Sequence, residues 1–292
     1  MSLAHYVKSY LRSLRDNNSI TRLMLYRRTY QNYFEVIRCM KRGEFPFKAR
    51  LKSGKNVTIT HPNEVYANLS GLDYELESDT VTVDGVRFYG GLKNGEVAGI
   101  FLARQYDSLP VNGKLVVDVG ANIADSSIYF ALKGAQKVVA LEPFPKNYQT
   151  AKKNIELNNL AGKISLTMAA CSSNSGSATI DPDKQSDITS QIEYSASGIK
   201  VPTMTLEDIV KAHSIDSAIL KMDCEGCEYD TILQSSGDTL QRFTHIQLEY
   251  HYGYKNLKQK LEESGFKVSI TEPKYTANQK MYVGWLWAQR SD

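Results

Sequence analysis

Near its amino end the chain places apolar residues at helical spacing: Leu3, Val7, Tyr10, Leu11 and Leu14 before the Asp16-Asn17-Asn18-Ser19 break, and Leu23, Tyr26, Tyr30, Tyr33, Phe34 and Ile37 after it. Two amphipathic helices are predicted, and their aromatic stripe suits core packing or a homo-oligomer surface. From Phe45 the period changes to two, with Phe45, Phe47, Ala49 and Leu51 before Ser53-Gly54-Lys55-Asn56, and Val57 and Ile59 after it. Asp84-Gly85 then sits between two more alternating runs, Thr80 to Val83 and Val86 to Phe88, a hairpin signal because both turn residues tolerate positive φ. Residues 43–95 therefore read as a small β-rich appendage, which can shape a neighbouring site or support it by packing.

Beyond Gly113 apolar runs of strand length alternate with helical patterns. Strands are predicted at residues 114–119, 137–141, 164–170, 218–222, 244–250, 266–271 and 281–288, with helices after the first, second, fourth and fifth. A further helix over 206–212 opens on Thr205-x-x-Asp208, a capping box. This order predicts an α/β fold, a mainly parallel seven-stranded sheet with helices on both faces. Only residues 272–280 separate the last two strands, too few for a helical crossover, so those strands should pair antiparallel. Residues 181–197 are polar and form a surface excursion with residues 178–180 and 199–201 as the arms of a hairpin. Three regions follow: a basic helical region over 1–42, a β-rich appendage and linking helix over 43–112, and the α/β domain over 113–292.

Composition narrows the class. With 292 residues and 42% apolar content the chain can bury a large core, yet its longest apolar runs fall well short of the roughly 20 residues needed to span a bilayer. Met1-Ser-Leu-Ala-His-Tyr-Val-Lys lacks the apolar core and small-residue cleavage site of a secretory leader, which predicts a cytoplasmic location. Net charge is only +3, but Lys8, Arg12, Arg15, Arg22, Arg27, Arg28, Arg38, Lys41 and Arg42 face only Asp16 and Glu35. Such a segment can touch anionic membrane peripherally, although a solvated helix face is the commoner use. Cys39, Cys171, Cys224 and Cys227 are too few for a disulfide framework. Cys224 and Cys227 have the C-x-x-C spacing of zinc and redox sites but no second pair, so reduced, metal-free, buried cysteines are expected.

The chemistry concentrates at strand ends. Val116-Val-Asp118-Val-Gly120-Ala-Asn122-Ile-Ala124-Asp125-Ser126 joins a strand to a helix through a small-residue turn, and Glu142 closes the next strand. Such a turn exposes the first backbone N–H groups of the helix, while an acid at the following strand end can take both hydroxyls of a ribose. The turn lacks the G-x-G-x-x-G of a dinucleotide site, so a smaller adenosine ligand with an amino-acid tail fits better than NAD.

These residues, together with Thr205-Leu-Glu-Asp208, Leu220-Lys-Met-Asp223-Cys-Glu225-Gly226 and Leu248-Glu249-Tyr-His251, resemble the successive motifs of the FkbM family of S-adenosylmethionine (SAM) dependent methyltransferases. The resemblance covers about 180 residues and departs from the family at Ala124, where Gly is usual, and at the two cysteines around Glu225-Gly226. It implies a class I methyltransferase fold, SAM as cofactor, and a hydroxyl on a sugar, glycan or other small molecule as acceptor. Cofactor binding is then expected of Asp118, Gly120, Asn122, Asp125, Ser126, Glu142, Phe144, Ala170 and Cys171, the last three near the adenine. His251 is the expected general base, with Asp223 and Glu249 orienting it or holding the acceptor. A divalent metal on Asp223, Glu225, Glu249 and His251 is the less favoured alternative. Nucleic acid is not the expected partner: the basic amino end favours RNA methylation, but the fourth strand ends in Asp223-Cys-Glu-Gly, not in the Asn/Asp-Pro-Pro-aromatic signature of amine methylation. A non-catalytic SAM-binding or structural module is a further alternative.

Overall fold

The computed structural model describes residues 19–92, 96–180, 198–276 and 281–291. The first predicted helix and the 181–197 excursion lie outside them. The chain divides into two compact units, Met1–Asp107 and Ser108–Asp292.

In the first unit, helices α1 (Ser19–Thr29) and α2 (Tyr33–Arg42) precede an antiparallel hairpin of β1 (Phe47–Arg50) and β2 (Asn56–Ile59). Tyr26, Tyr30, Val36, Ile59 and Val65 bury in one cluster with Tyr33 and Ile37 packed against it, so most of the aromatic stripe is core, while Leu23 and Phe34 are exposed. Helix α3 (Pro62–Ser70) was not evident from periodicity, but its start carries local signals: Pro62 at the first helical position, and a capping box in which His61 accepts from Asn63 N while Glu64 reaches back. Strands β3 (Asp73–Glu75), β4 (Thr80–Val83) and β5 (Val86–Tyr89) form a meander with Asp84 and Gly85 both at positive φ in its second turn. A short π-helical turn, Ala98–Leu102, follows.

The second unit is built on β6 (Leu115–Val119), β7 (Lys137–Leu141), β8 (Ile164–Thr167), β12 (Ala218–Met222), β13 (Phe243–Tyr250), β14 (Phe266–Ile270) and β16 (Met281–Arg290), ordered β14-β16-β13-β12-β6-β7-β8. Strands β6, β7, β8, β12 and β13 run parallel, and β16 inserts antiparallel between β13 and β14. The central strands are buried along nearly their whole length, as a sheet covered on both faces requires, and the period-two pattern is therefore lost in them. Helices α4 (Asp125–Leu132), α5 (Pro145–Leu157), α7 (Cys227–Gln234) and α9 (Lys255–Glu263) follow the four expected strands. Helix α6 (Leu206–Ala212) starts on the Thr205/Asp208 capping box, and α8 (Gly237–Leu240) is a single turn.

Two features differ from the expectation. The third strand ends at Thr167, and Ala170–Cys171 forms a separate short strand, β9, drawn away by parallel pairing with β11 (Ile199–Met204). Strand β10 (Gly176–Ile180) pairs antiparallel with β11, so the expected arms exist and are longer than predicted. A short β15 (Lys274–Thr276) also pairs with β16, before residues outside the described set. No helix among the described residues is long and apolar enough to cross a membrane.

Candidate functional site

The site is assembled at the carboxyl ends of β6, β7, β12 and β13, where the strand order reverses about β6. After β6 the chain turns through Gly120 at φ 77°, and Gly120 N and Ala121 N donate to the Leu141 carbonyl at 3.1 and 2.9 Å. A side chain at Gly120 would place its Cβ 2.1 Å from the Asp223 carbonyl oxygen, so the turn packs directly on the loop that follows β12. Asn122 and Ala124 also hold positive φ, at 49° and 66°. Glycine would meet these angles without strain, which accounts physically for its usual presence at the position of Ala124.

Beneath the turn Asp118 is fully buried, with Oδ1 3.0 Å from Lys221 Nζ and Oδ2 accepting from the hydroxyls of Ser126 and Ser127 at 2.7 and 2.5 Å. Lys221 also donates to the Gly120 carbonyl at 2.8 Å. Burial alone would lower the Lys221 pKa, but the Asp118 and Asp223 carboxylates raise it. Lys221 is not among the residues expected at the site; its signal in the sequence is a lone cation within the apolar strand Ala-Ile-Leu-Lys-Met, which only a buried carboxylate could make tolerable. Ser126, expected to face the cofactor, is turned inward to Asp118, because the buried Oδ2 has two lone pairs to satisfy and no access to water. Asp125 is buried at the helix start, and its Oδ1 accepts from Ser126 N.

Glu142 lies where expected, just past β7 and buried. Its Oε2 accepts from Asn122 N at 2.8 Å and its Oε1 from Phe144 N at 2.9 Å, so one carboxylate ties the glycine turn to the start of α5. Burial pushes its pKa up to about 7, against the opposing pull of the Phe144 and Asn122 N–H groups. The Phe144 ring packs with Ala178, Ile180 and Val201, on the hairpin of β10 and β11. Ala170 and Cys171 are buried but do not end the third strand as expected; Cys171 belongs to the main core, with Sγ 3.8 Å from Thr231 Oγ1, and burial pushes its thiol up to about 12.

The opposite side of the site is the loop after β12. Glu228, fully buried, accepts from Cys224 N and Gly226 N, both at 2.8 Å, and folds the loop onto the start of α7. Glu225 holds a left-handed φ of 60° and Gly226 a φ of 124°, which reverse the chain and bring two sulfurs together. Cys224 and Cys227 are therefore joined in a disulfide, not reduced as expected. Spacing alone could not reveal this, because the pairing depends on the unusual backbone between them.

His251 sits within this acidic set, with Nε2 3.1 Å from Glu225 Oε2 and Nδ1 3.7 Å from Glu228 Oε2. Burial would lower its pKa, but the two glutamates push it up to about 12. The two glutamates thus favour the imidazolium form, in which the ring has no free lone pair for the proton-accepting role expected of it from the sequence. The same ion pairs lower the Glu228 pKa against its burial, while burial together with Glu249 and Glu228 raises that of Glu225. Asp223, Glu249 and His251 are brought together as expected, with potential metal-ligand atoms all within 4.8 Å of one another. Beside Gly226 opens a cleft of about 470 Å³ lined by Tyr229, Asp230, Gln234, Tyr252 and Asn256. The Tyr229 and Tyr252 rings meet at a 53° tilt with centroids 5.6 Å apart.

A parallel sheet closed by one inserted antiparallel strand, with a glycine turn after its first strand and an acid after its second, defines a class I methyltransferase. The Methyltransferase FkbM domain matches residues 118–268, and the chain belongs to that family. It is 23% identical over 212 residues to Methyltransferase 1 of Beauveria bassiana (strain ARSEF 2860), spanning 63% of this chain and 85% of that protein. Among solved structures it is similar to the METTL16 MTase domain, with a TM-score of 0.45 and 16% identity over 84% of this chain and 87% of that one. It is also similar to the ribosomal protein L11 methylase from Lactobacillus delbrueckii subsp. bulgaricus, with a TM-score of 0.41 and 15% identity over 76% and 92% of the two chains.

Proposed function

We propose that this methyltransferase uses SAM to methylate a hydroxyl group of a sugar, glycan or other small molecule. The observation that carries the cofactor reading is Glu142, a buried carboxylate at a strand end whose two oxygens each accept one backbone N–H and keep further lone pairs for a ribose diol. When bound, SAM supplies an electrophilic methyl group on its sulfonium. Gly120 allows the close backbone approach that shapes the floor, and Asn122 and Asp125 border the amino-acid end. Asp118 contributes from below by fixing the turn through Lys221 and Ser126.

For the acceptor, Glu225 is the carboxylate best placed to take the hydroxyl proton. Its side chain is 21% exposed, whereas that of Glu228 is fully buried. His251 then acts as the cation that orients Glu225, and Asp223 and Glu249 hold the remaining acceptor hydroxyls. General-base assistance contributes roughly 10²-fold to 10⁴-fold, and holding the acceptor in line can contribute roughly 7 to 11 kcal/mol more. The aromatic and polar lining beside Gly226 supports a hydroxylated small acceptor. The test is transfer of a labelled methyl group from SAM into extracted glycan and small-molecule pools, compared with RNA. Label in a base-stable ether is expected. Label in RNA alone would overturn the acceptor class, and no transfer to any pool, with SAH bound, would favour a non-catalytic module.

A further inference from the structure

We propose that Cys224 and Cys227 form a reversible redox modification site, reduced by a dithiol, which sets the geometry of the acidic loop against His251. The inference rests on the assignment of that loop to the reacting edge of the site. The disulfide closes over Glu225-Gly226, the two residues held at φ 60° and 124°. A non-glycine residue seldom keeps such an angle unless its surroundings enforce it. Here the covalent link is one such restraint and the bonds from Cys224 N and Gly226 N to Glu228 are the other. The angle in turn carries the Glu225 carboxylate to His251 Nε2.

Access and chemistry agree with this use. Cys224 and Cys227 are half-buried, whereas the two free cysteines, Cys39 and Cys171, are buried. An external thiolate can therefore reach the pair and not the others. The thiolate attacks one sulfur to form a mixed disulfide and releases the other as a thiol. The reductant's second thiol then displaces the bound cysteine, so the reductant leaves as a disulfide and the protein gains two electrons and two protons. Reduction also creates a new donor, because Cys224 Sγ lies 3.4 Å from Glu228 Oε1 and its thiol can bond the carboxylate that balances His251. With the link open, Glu225 can leave the left-handed region and withdraw from the imidazolium. His251 then keeps Glu228, with Asp223 and Glu249 nearby, and loses its shortest ion pair.

The experiment compares air-oxidised and dithiothreitol-treated protein by alkylation under native conditions and by the NMR shifts of the His251 ring at a single pH. Two additional alkylated cysteines are expected after reduction, at 224 and 227, in a protein that stays folded. The His251 ring shifts are expected to differ between the two forms as the contact with Glu225 is lost, and Cys224→Ser/Cys227→Ser should reproduce the reduced-form shifts and no longer respond to dithiothreitol. Alkylation of both cysteines before any reductant, or identical His251 ring shifts in both forms, would overturn the proposal. Neither readout needs cofactor or acceptor, so the result is separate from the SAM reading, which failure to bind S-adenosylhomocysteine (SAH) would overturn by itself.

Discussion

Replacing Glu142 probes the cofactor cleft where the geometry is most specific. Each carboxylate oxygen already holds one backbone N–H, at 2.8 and 2.9 Å, and each is expected to accept one ribose hydroxyl. A hydrogen bond to a charged group contributes about 1.5 to 3 kcal/mol net, so losing two corresponds to about 3 to 6 kcal/mol at most. Water entering the space left by Glu142→Ala recovers part of this. We therefore expect SAH affinity to fall at least tenfold, about 1.4 kcal/mol or more. Glu142→Gln, which keeps one acceptor oxygen, should fall between that variant and the native protein.

The pKa of about 7 adds a second readout. Ribose hydroxyls donate to the ionised carboxylate and favour it, so binding lowers the Glu142 pKa and releases a proton near pH 7. Affinity should rise with pH up to about 7 and level off above it. Calorimetric titration with SAH in buffers of different ionisation enthalpy measures both quantities, with circular dichroism confirming that each variant is folded. Unchanged affinity in folded Glu142→Ala, or no proton release by the native protein, would refute the ribose assignment.

Three further outcomes are expected. Lys221→Met leaves Asp118 buried without its cation and should cost about 3 to 5 kcal/mol, read as a fall in thermal midpoint of roughly 10 °C; adding Asp118→Asn should restore much of it, and additive losses would show that the pair is not coupled. Gly120→Ala adds a Cβ 2.1 Å from the Asp223 carbonyl at a φ of 77°, and should cost about 2 kcal/mol or more while weakening SAH binding; a fully stable variant with native affinity would show that the turn is not tightly packed. His251→Gln removes the positive charge beside Glu225, so the Glu225 pKa should rise and the acid limb of the pH–rate profile should move to higher pH, with SAH affinity nearly unchanged; an unmoved limb in single-turnover kinetics would separate His251 from the proton acceptor.

What could be read from the chain depended on how local its cause was. The strands around Val117, Val139 and Leu220 are short apolar runs whose burial follows from composition, and the Thr205/Asp208 box marks its helix within four residues. The strand-end positions of Gly120, Glu142, Asp223 and Glu249 follow from those elements. The partners did not. Lys221 shows locally as a lone cation in an apolar strand, but its partner Asp118 lies 103 residues away, and His251 meets Glu225 and Glu228 only once β12 and β13 are paired, so neither set of partners had a local signature. The cysteine pair and the early end of the third strand failed for a similar reason. One needed the left-handed angle at Glu225, the other a pairing between Ala170 and Thr203 across the residues from 171 to 202.

The most direct measurement is a crystal structure of the protein with SAH. Both ribose hydroxyls are expected within hydrogen-bond distance of the Glu142 carboxylate, the amino-acid end over the Gly120 to Asn122 turn, and the sulfur facing Asp223 and Glu225. SAH bound elsewhere, or with its ribose directed away from Glu142, would contradict this placement.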